Sequence, residues 1–290
     1  MRIDWHSHVW LPEHLGREWG PQYDANVGWA TSEAGSWDAH RAAMDEAGVD
    51  AAVVLALVVC DIDLDIPNEY VAGIVERDPR RAVGFASVDP NDPHAVEKVR
   101  YAANDLGLKG LKLSPPYQGF HPHSDAAWRV YTAAADLGLA ITFHQGGVFL
   151  RSGALENAQP VLLDRVARTF RDMPIIIAHA GQPWSFETQA VMFKNSNVYT
   201  DLSARFGRPA QLAGILRGLI DYGVTDRVLF GSDFPTYRPA DCLDQFRRLA
   251  TDPPAGHGTF DPALIAAIID DRPLSLLGLD PARPSPEEHP

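Results

Sequence analysis

Residues 174–181 read PIIIAHAG. A half-buried strand alternates apolar with polar side chains, and Ile175-Ile176-Ile177 does not. Both of its faces are therefore predicted to be buried, as in a parallel sheet covered by helices. The run then stops on His179 and a glycine, which places a ligand-type side chain at the strand's end. Working outward, similar short apolar runs stand at Arg2–Trp5, Ala51–Val59, Ala82–Ala86, Gly110–Leu113, Ala140–Phe143, Asn197–Thr200 and Arg227–Phe230. With Ile175–Ala178 they make eight. Most are followed by stretches with apolar residues three or four apart, Asp125–Leu137 (DAAWRVYTAAADL) being the cleanest. Gly48, Gly107 and Gly138 stand where helix C-caps belong, just before the next strand. Eight strand–helix units predict a single (β/α)8 TIM barrel over residues 1–279. An open doubly wound sheet is the runner-up, but its glycine fingerprint is missing.

The chain of 290 residues suits one such barrel, which takes about 250. Between the first two strands an insert of about residues 11–36 carries Trp19, Tyr23 and Trp29. It could be a lid, a subunit contact in a homodimer, or a packed surface excursion. Residues 280–290, DPARPSPEEHP, are rich in proline and acid and are predicted to be a disordered tail.

Composition narrows the function. Apolar residues make up 46% and charged residues 22%, which describes a globular chain. A net charge of −13 argues against nucleic acid, whose phosphates need a basic patch. No stretch is long and apolar enough for a bilayer, and the first residues carry no secretory signal. Cys60 and Cys242 are isolated thiols, consistent with a reducing, cytoplasmic setting. The expected partner is a small-molecule substrate, with no nucleic acid and no membrane.

The chemistry lies at the strand ends. His6 and His8 close the first run. Side chains two apart on a strand share a face about 6.6 Å apart, so two imidazoles can converge on one ion. The same punctuation recurs downstream: ITF ends on His144, IIIA on His179, and LFGS on Asp233. A barrel gathers the C-terminal ends of its strands at one rim, so these five residues are predicted to face one pocket. Taken singly, each has a plainer explanation, a hydrogen-bonded core histidine or a helix N-cap aspartate. A second pair, His121-Pro122-His123, lies in a loop and reads as an incidental solvated pair.

The pieces IDWHSH, GLKGLKLSP, ITFHQGG, IIIAHAG, VYTDLS and RVLFGSDFP run in this order from residue 3 to residue 235. Together they resemble the amidohydrolase superfamily, in the short-barrel branch related to aminocarboxymuconate-semialdehyde decarboxylase. The resemblance implies one divalent metal held by His6, His8, His144 and Asp233. It implies that Asp233 also shuttles protons and that His179 stays off the metal as acid/base or electrophile. Lys112 stands where binuclear relatives carry a carbamylated bridging lysine, and here it is expected to be a pocket residue. The chain departs from the family pattern at its last helix, IIDDRPLSLLGL. With the histidine pair beginning at residue 6, no N-terminal β-sandwich half is expected.

Zinc is the first expectation for the metal, with manganese or iron also suited to imidazole and carboxylate donors. The first reading of the reaction is hydrolysis of a small ester, lactone or amide by a hydroxide generated on the cation. Non-oxidative decarboxylation of a small aromatic or unsaturated acid by the same residues is the alternative. A non-catalytic metal- or ligand-binding barrel is the reading from another class. Arg205, Trp10, Trp184, Tyr237, Arg238 and Lys112 are the expected substrate contacts, with Arg205 able to clamp a carboxylate.

Overall fold

The computed structural model describes residues 1–27 and 35–279. Part of the 11–36 insert, including Trp29, and the 280–290 tail lie outside the described residues. The strands are β1 (Ile3–Ser7), β2 (Ala51–Leu55), β3 (Leu57–Val59), β4 (Leu64–Ile66), β5 (Ala82–Ser87), β6 (Gly110–Leu113), β7 (Ala140–Phe143), β8 (Ile175–Ile177), β9 (Val198–Asp201) and β10 (Val228–Leu229). Eight of them form one parallel sheet in the order β1-β2-β5-β6-β7-β8-β9-β10. Trp5 N to Phe230 O (2.9 Å), Asp233 N to His6 O (2.8 Å) and a parallel bridge from Ser7 to Phe234 close β10 onto β1. The TIM barrel expected from the sequence is therefore the fold.

Alternation along the strands divides the apolar residues between two layers. Ile3, Trp5, Val53, Leu55, Phe85 and Ile176 fill the barrel, and Leu274 and Leu277 pack with them. Their neighbours, such as Val54, Leu111, Phe143 and Ile177, face the helices instead. Away from the site, both faces are covered by apolar packing, which is why strands such as β2 and β8 read as continuous apolar runs.

The surrounding helices are α1 (Gly16–Val27), α2 (Trp37–Ala47), α3 (Asn68–Arg77), α4 (Ala95–Asn104), α5 (Asp125–Asp136), α6 (Leu163–Thr169), α7 (Ser185–Lys194), α8 (Pro209–Asp221), α9 (Pro239–Arg248) and α10 (Pro262–Asp270). Ser36 caps α2 by accepting from Ala39 N, and Gly48 ends it at φ 64°. Ser124 caps α5 in the same way.

One expectation changes. Ala51–Val59 is not a single strand. The barrel strand stops at Leu55, and Leu57–Val59 turns out to pair antiparallel with β4. The run stays apolar because this hairpin forms a wall of the inner cavity, to which it gives Leu57, Leu64 and Ile66. Helix α1, from the insert, brings Trp19 and Tyr23 to the same cavity.

Candidate metal centre and active site

His6, His179 and Asp233 stand at the ends of β1, β8 and β10. Their ligand-type atoms lie within 4.8 Å of one another. His8 and His144 stand one ring further out, with ring centroids 5.4 Å from His6 and 5.0 Å from His179 respectively. His8, His144, His179 and Asp233 line one cavity, and His6, fully buried, packs against His8 and His179 behind it. His179, expected off the metal, belongs to the tightest group.

Each imidazole is oriented from behind. His6 Nδ1 lies 2.9 Å from Asp201 Oδ2. His8 Nδ1 faces Leu55 O at 3.0 Å, and His144 Nε2 faces Gly147 O at 3.1 Å. His179 Nδ1 faces Ser203 O at 3.2 Å and Ser203 Oγ at 2.8 Å. A carbonyl or carboxylate can only accept, so each of these nitrogens carries the proton. The opposite nitrogen of every ring keeps its lone pair. This is the tautomer a metal ligand needs, fixed by an outer partner.

Electrostatics keep the four rings neutral. Burial, and then the Lys112 ammonium, pull His6 and His8 well below the usual histidine range. The same causes bring His144 down to about 3. Burial and the neighbouring His6 lower His179. Asp233 is pushed up to about 7, chiefly by burial, with Lys112 opposing the rise. Lys112 is pushed down to about 8 by burial, against the pull of Asp201 and Asp233. The 3.6 Å approach of His6 Nε2 to Asp233 Oδ1 is thus no ion pair between charged groups.

The donor set fits a divalent first-row cation. Imidazole lone pairs and one carboxylate converge, and Asp201 supplies the outer carboxylate that such histidines use. Lys112 is the qualification, since its Nζ lies 3.2 Å from His6 Nε2. An ammonium there opposes a cation, so the set fits when Lys112 is neutral.

Two cavities meet at Asp233, His144 and His179. The inner one has an aromatic wall of Trp10, Trp19, Tyr23, Tyr117 and Phe149. Trp19 packs 4.9 Å from Phe149 and 5.6 Å from both Tyr23 and Tyr117, measured between centroids. The outer one is polar and carries Arg205, Arg208, Gln182 and Tyr237. Arg205 is half-buried, and its Nε is buried with no hydrogen-bond partner among the described residues.

Of the expected substrate contacts, Trp10 and Lys112 line the inner cavity and Arg205 and Tyr237 the outer one. Trp184 and Arg238 line neither. Trp184 stands at the position just before α7, and Arg238 pairs with Glu46 on the surface. The loop pair also has a structural explanation: His123 Nε2 bonds Leu162 O at 2.7 Å. Sequence reading passed over Asp201, Ser203 and Tyr117. Asp201 had a signal, because it ends the run VYTD as Asp233 ends LFGSD. Tyr117 had none.

The family described as Amidohydrolase matches residues 3–279. None of the curated proteins matches the chain. Among solved structures it is similar to 5-carboxyvanillate decarboxylase from Sphingomonas paucimobilis, at 15% identity and TM-score 0.70, covering 96% of this chain and 99% of that one. It is equally similar in fold to a dihydroxybenzoic acid decarboxylase from Polaromonas with bound manganese and 2-nitroresorcinol (16%, TM-score 0.70, 95% and 96% covered). A third is a protein from Acinetobacter baumannii named as probable 2-pyrone-4,6-dicarboxylic acid hydrolase, with citric acid bound (15%, TM-score 0.67, 96% and 99% covered).

Proposed function

The chain belongs to the amidohydrolase family, and on that premise we propose that it is a divalent-metal-dependent carboxy-lyase acting on a small, planar, aromatic or unsaturated carboxylic acid. The observation that carries this reading is the junction of two features. An acid/base carboxyl poised at about 7, Asp233, stands beside neutral imidazoles at the mouth of a cavity walled by aromatic rings. Such a wall suits a flat ring and takes water away from it. Two of the similar structures are named decarboxylases.

A bound cation, zinc or manganese, would be held by His6 and His179 with His8 and His144 beside them, and by Asp233 once it is ionised, and would anchor and polarise an oxygen of the substrate. The protein's own groups do the rest. The aromatic wall stacks on the ring. Asp233 in its acid form gives a proton to the ring carbon that bears the carboxylate. The carbon–carbon bond then breaks, carbon dioxide leaves, and its electron pair restores the ring. Net, one carboxylate and one proton become the shortened product and carbon dioxide. His179, neutral and held by Ser203, would present its lone-pair nitrogen to the cation. Arg205 and Arg208 hold a further anionic group of the substrate at the outer mouth.

Hydrolysis is the second reading. It is favoured by the polar outer cavity, which opens Asp233 and His179 to water, and by the name of the Acinetobacter protein. One experiment separates the readings. Purified protein, metal-loaded or chelator-stripped, is given a panel of hydroxylated aromatic acids and lactones. Carbon dioxide release that needs metal is the expected result. Acid release from a lactone with no carbon dioxide would transfer the chain to the hydrolases, and no turnover would favour a binding barrel.

A further inference from the structure

We infer that Asp4, Ser232 and His40 are positioning residues that set the direction of the Asp233 carboxylate. Asp4 lies two residues before His6 on β1, Ser232 lies one residue before Asp233, and His40 lies on α2. All three are fully buried, at 0% exposure. Asp4 Oδ1 accepts from Ser232 N at 2.8 Å and from His6 N at 3.3 Å. Asp4 Oδ2 accepts from Ser232 Oγ at 2.5 Å and faces His40 Nε2 at 3.4 Å. Ser232 Oγ in turn accepts from Phe234 N at 3.0 Å. The His40 ring lies flat on Phe234, with centroids 4.4 Å apart and planes 16° apart. Both chain neighbours of Asp233 are therefore tied to one carboxylate.

Asp233 needs that restraint. Its φ is 65°, in the left-handed region that side-chain-bearing residues rarely adopt. A freed backbone would relax to negative φ and carry the carboxylate away from His6 Nε2. Gly231 allows the close approach upstream, since a Cβ there would meet His6 Cβ at 2.8 Å. The plainer explanation, that the network merely closes the barrel, is weakened by what already closes it. Trp5 N to Phe230 O, Asp233 N to His6 O and His8 N to Phe234 O at 2.7 Å span the seam without any side chain. Asp4 also reaches both sides of the seam at once, through the amide of His6 and the amide of Ser232.

The inference uses the assignment of Asp233 as a cation ligand for one readout only. Zinc affinity is measured by competition with a chromophoric chelator for the parent, Ser232→Ala, Ser232→Thr and His40→Phe, beside each melting temperature. Ser232→Ala and His40→Phe should bind at least about 10-fold more weakly, as outer partners of metal ligands do. His40→Phe keeps a ring on Phe234 and loses the Nε2 contact with Asp4. Ser232→Thr, which keeps the hydroxyl, should bind within about twofold of the parent. Parent-like affinity in Ser232→Ala overturns the inference, and so does equal loss in the alanine and threonine variants. If the parent binds no cation, the metal reading falls separately. A crystal structure of Ser232→Ala then decides: residue 233 still at positive φ with its carboxylate on His6 overturns the inference, and a relaxed φ supports it.

Discussion

Asp201→Asn replaces one carboxylate oxygen with an amide NH2 and changes almost no volume. Oδ1 of Asp201 takes the amides of His179 at 3.1 Å and Ser203 at 3.0 Å together with the Ser203 hydroxyl. The asparagine carbonyl oxygen must stand there, because the amide nitrogen cannot accept from them. Its NH2 group then faces His6 Nδ1, where Oδ2 had stood 2.9 Å away. Two donors cannot share that contact, so the His6 proton moves to Nε2. The nitrogen nearest Asp233 becomes an N–H and can no longer ligate. Loss of such an outer partner costs about 10- to 100-fold in metal affinity, or about 1.4–2.8 kcal/mol. Folding should suffer less: a charge-assisted hydrogen bond becomes a neutral one, about 1 kcal/mol. The matching shift in Tm is roughly 2–4 °C. Chelator competition with zinc and manganese measures the first quantity and thermal melting the second. Parent-like affinity in a variant with a lowered Tm would refute the tautomer argument, because it would leave Asp201 as a packing group.

Other outcomes follow from the same geometry. With the four histidines held neutral, cation affinity should rise as pH climbs through about 7 to 8, where Asp233 ionises and Lys112 loses its proton. A site limited by ordinary histidines would rise near about 6.5, so a proton-release titration across pH separates the two. In the metal-free protein the sign on folding is opposite. The raised Asp233 contributes stability that is complete below the ordinary carboxyl range and lost as pH rises through about 7. The Tm advantage of Asp233→Asn over the parent should therefore grow between about pH 5 and pH 8. Lys112→Met removes the ammonium 3.2 Å from His6 Nε2 and should tighten divalent binding severalfold at neutral pH; a large loss instead would mark Lys112 as a ligand through a carbamate. Arg205→Ala should raise KM for a substrate with a second anionic group by about 10- to 100-fold with little change in kcat, the worth of a charge-assisted contact. Equal KM for mono- and dianionic substrates in the parent would remove Arg205 from binding.

The sequence by itself determined the barrel and the rim. Its strands are buried on both faces, so the physics of burial writes them as uninterrupted runs such as Ile175–Ile177, legible one residue at a time. His6, His144, His179 and Asp233 were legible for a related reason, since a ligand-type residue that ends an apolar run stands out locally. What only the tertiary structure decided is which of these meet, and what holds them. His179 joins the tightest group because its own backbone turns left-handed at φ 57°, which no periodicity predicts. Asp201 orients His6 across 195 positions of chain, and Asp4 reaches Ser232 across 228. Such contacts depend on barrel closure, and closure is a property of the whole ring of strands rather than of any segment. For the same reason the aromatic wall stayed hidden: Trp19 comes from helix α1 and Tyr117 and Phe149 from two separate loops, and only their common rim makes them one surface.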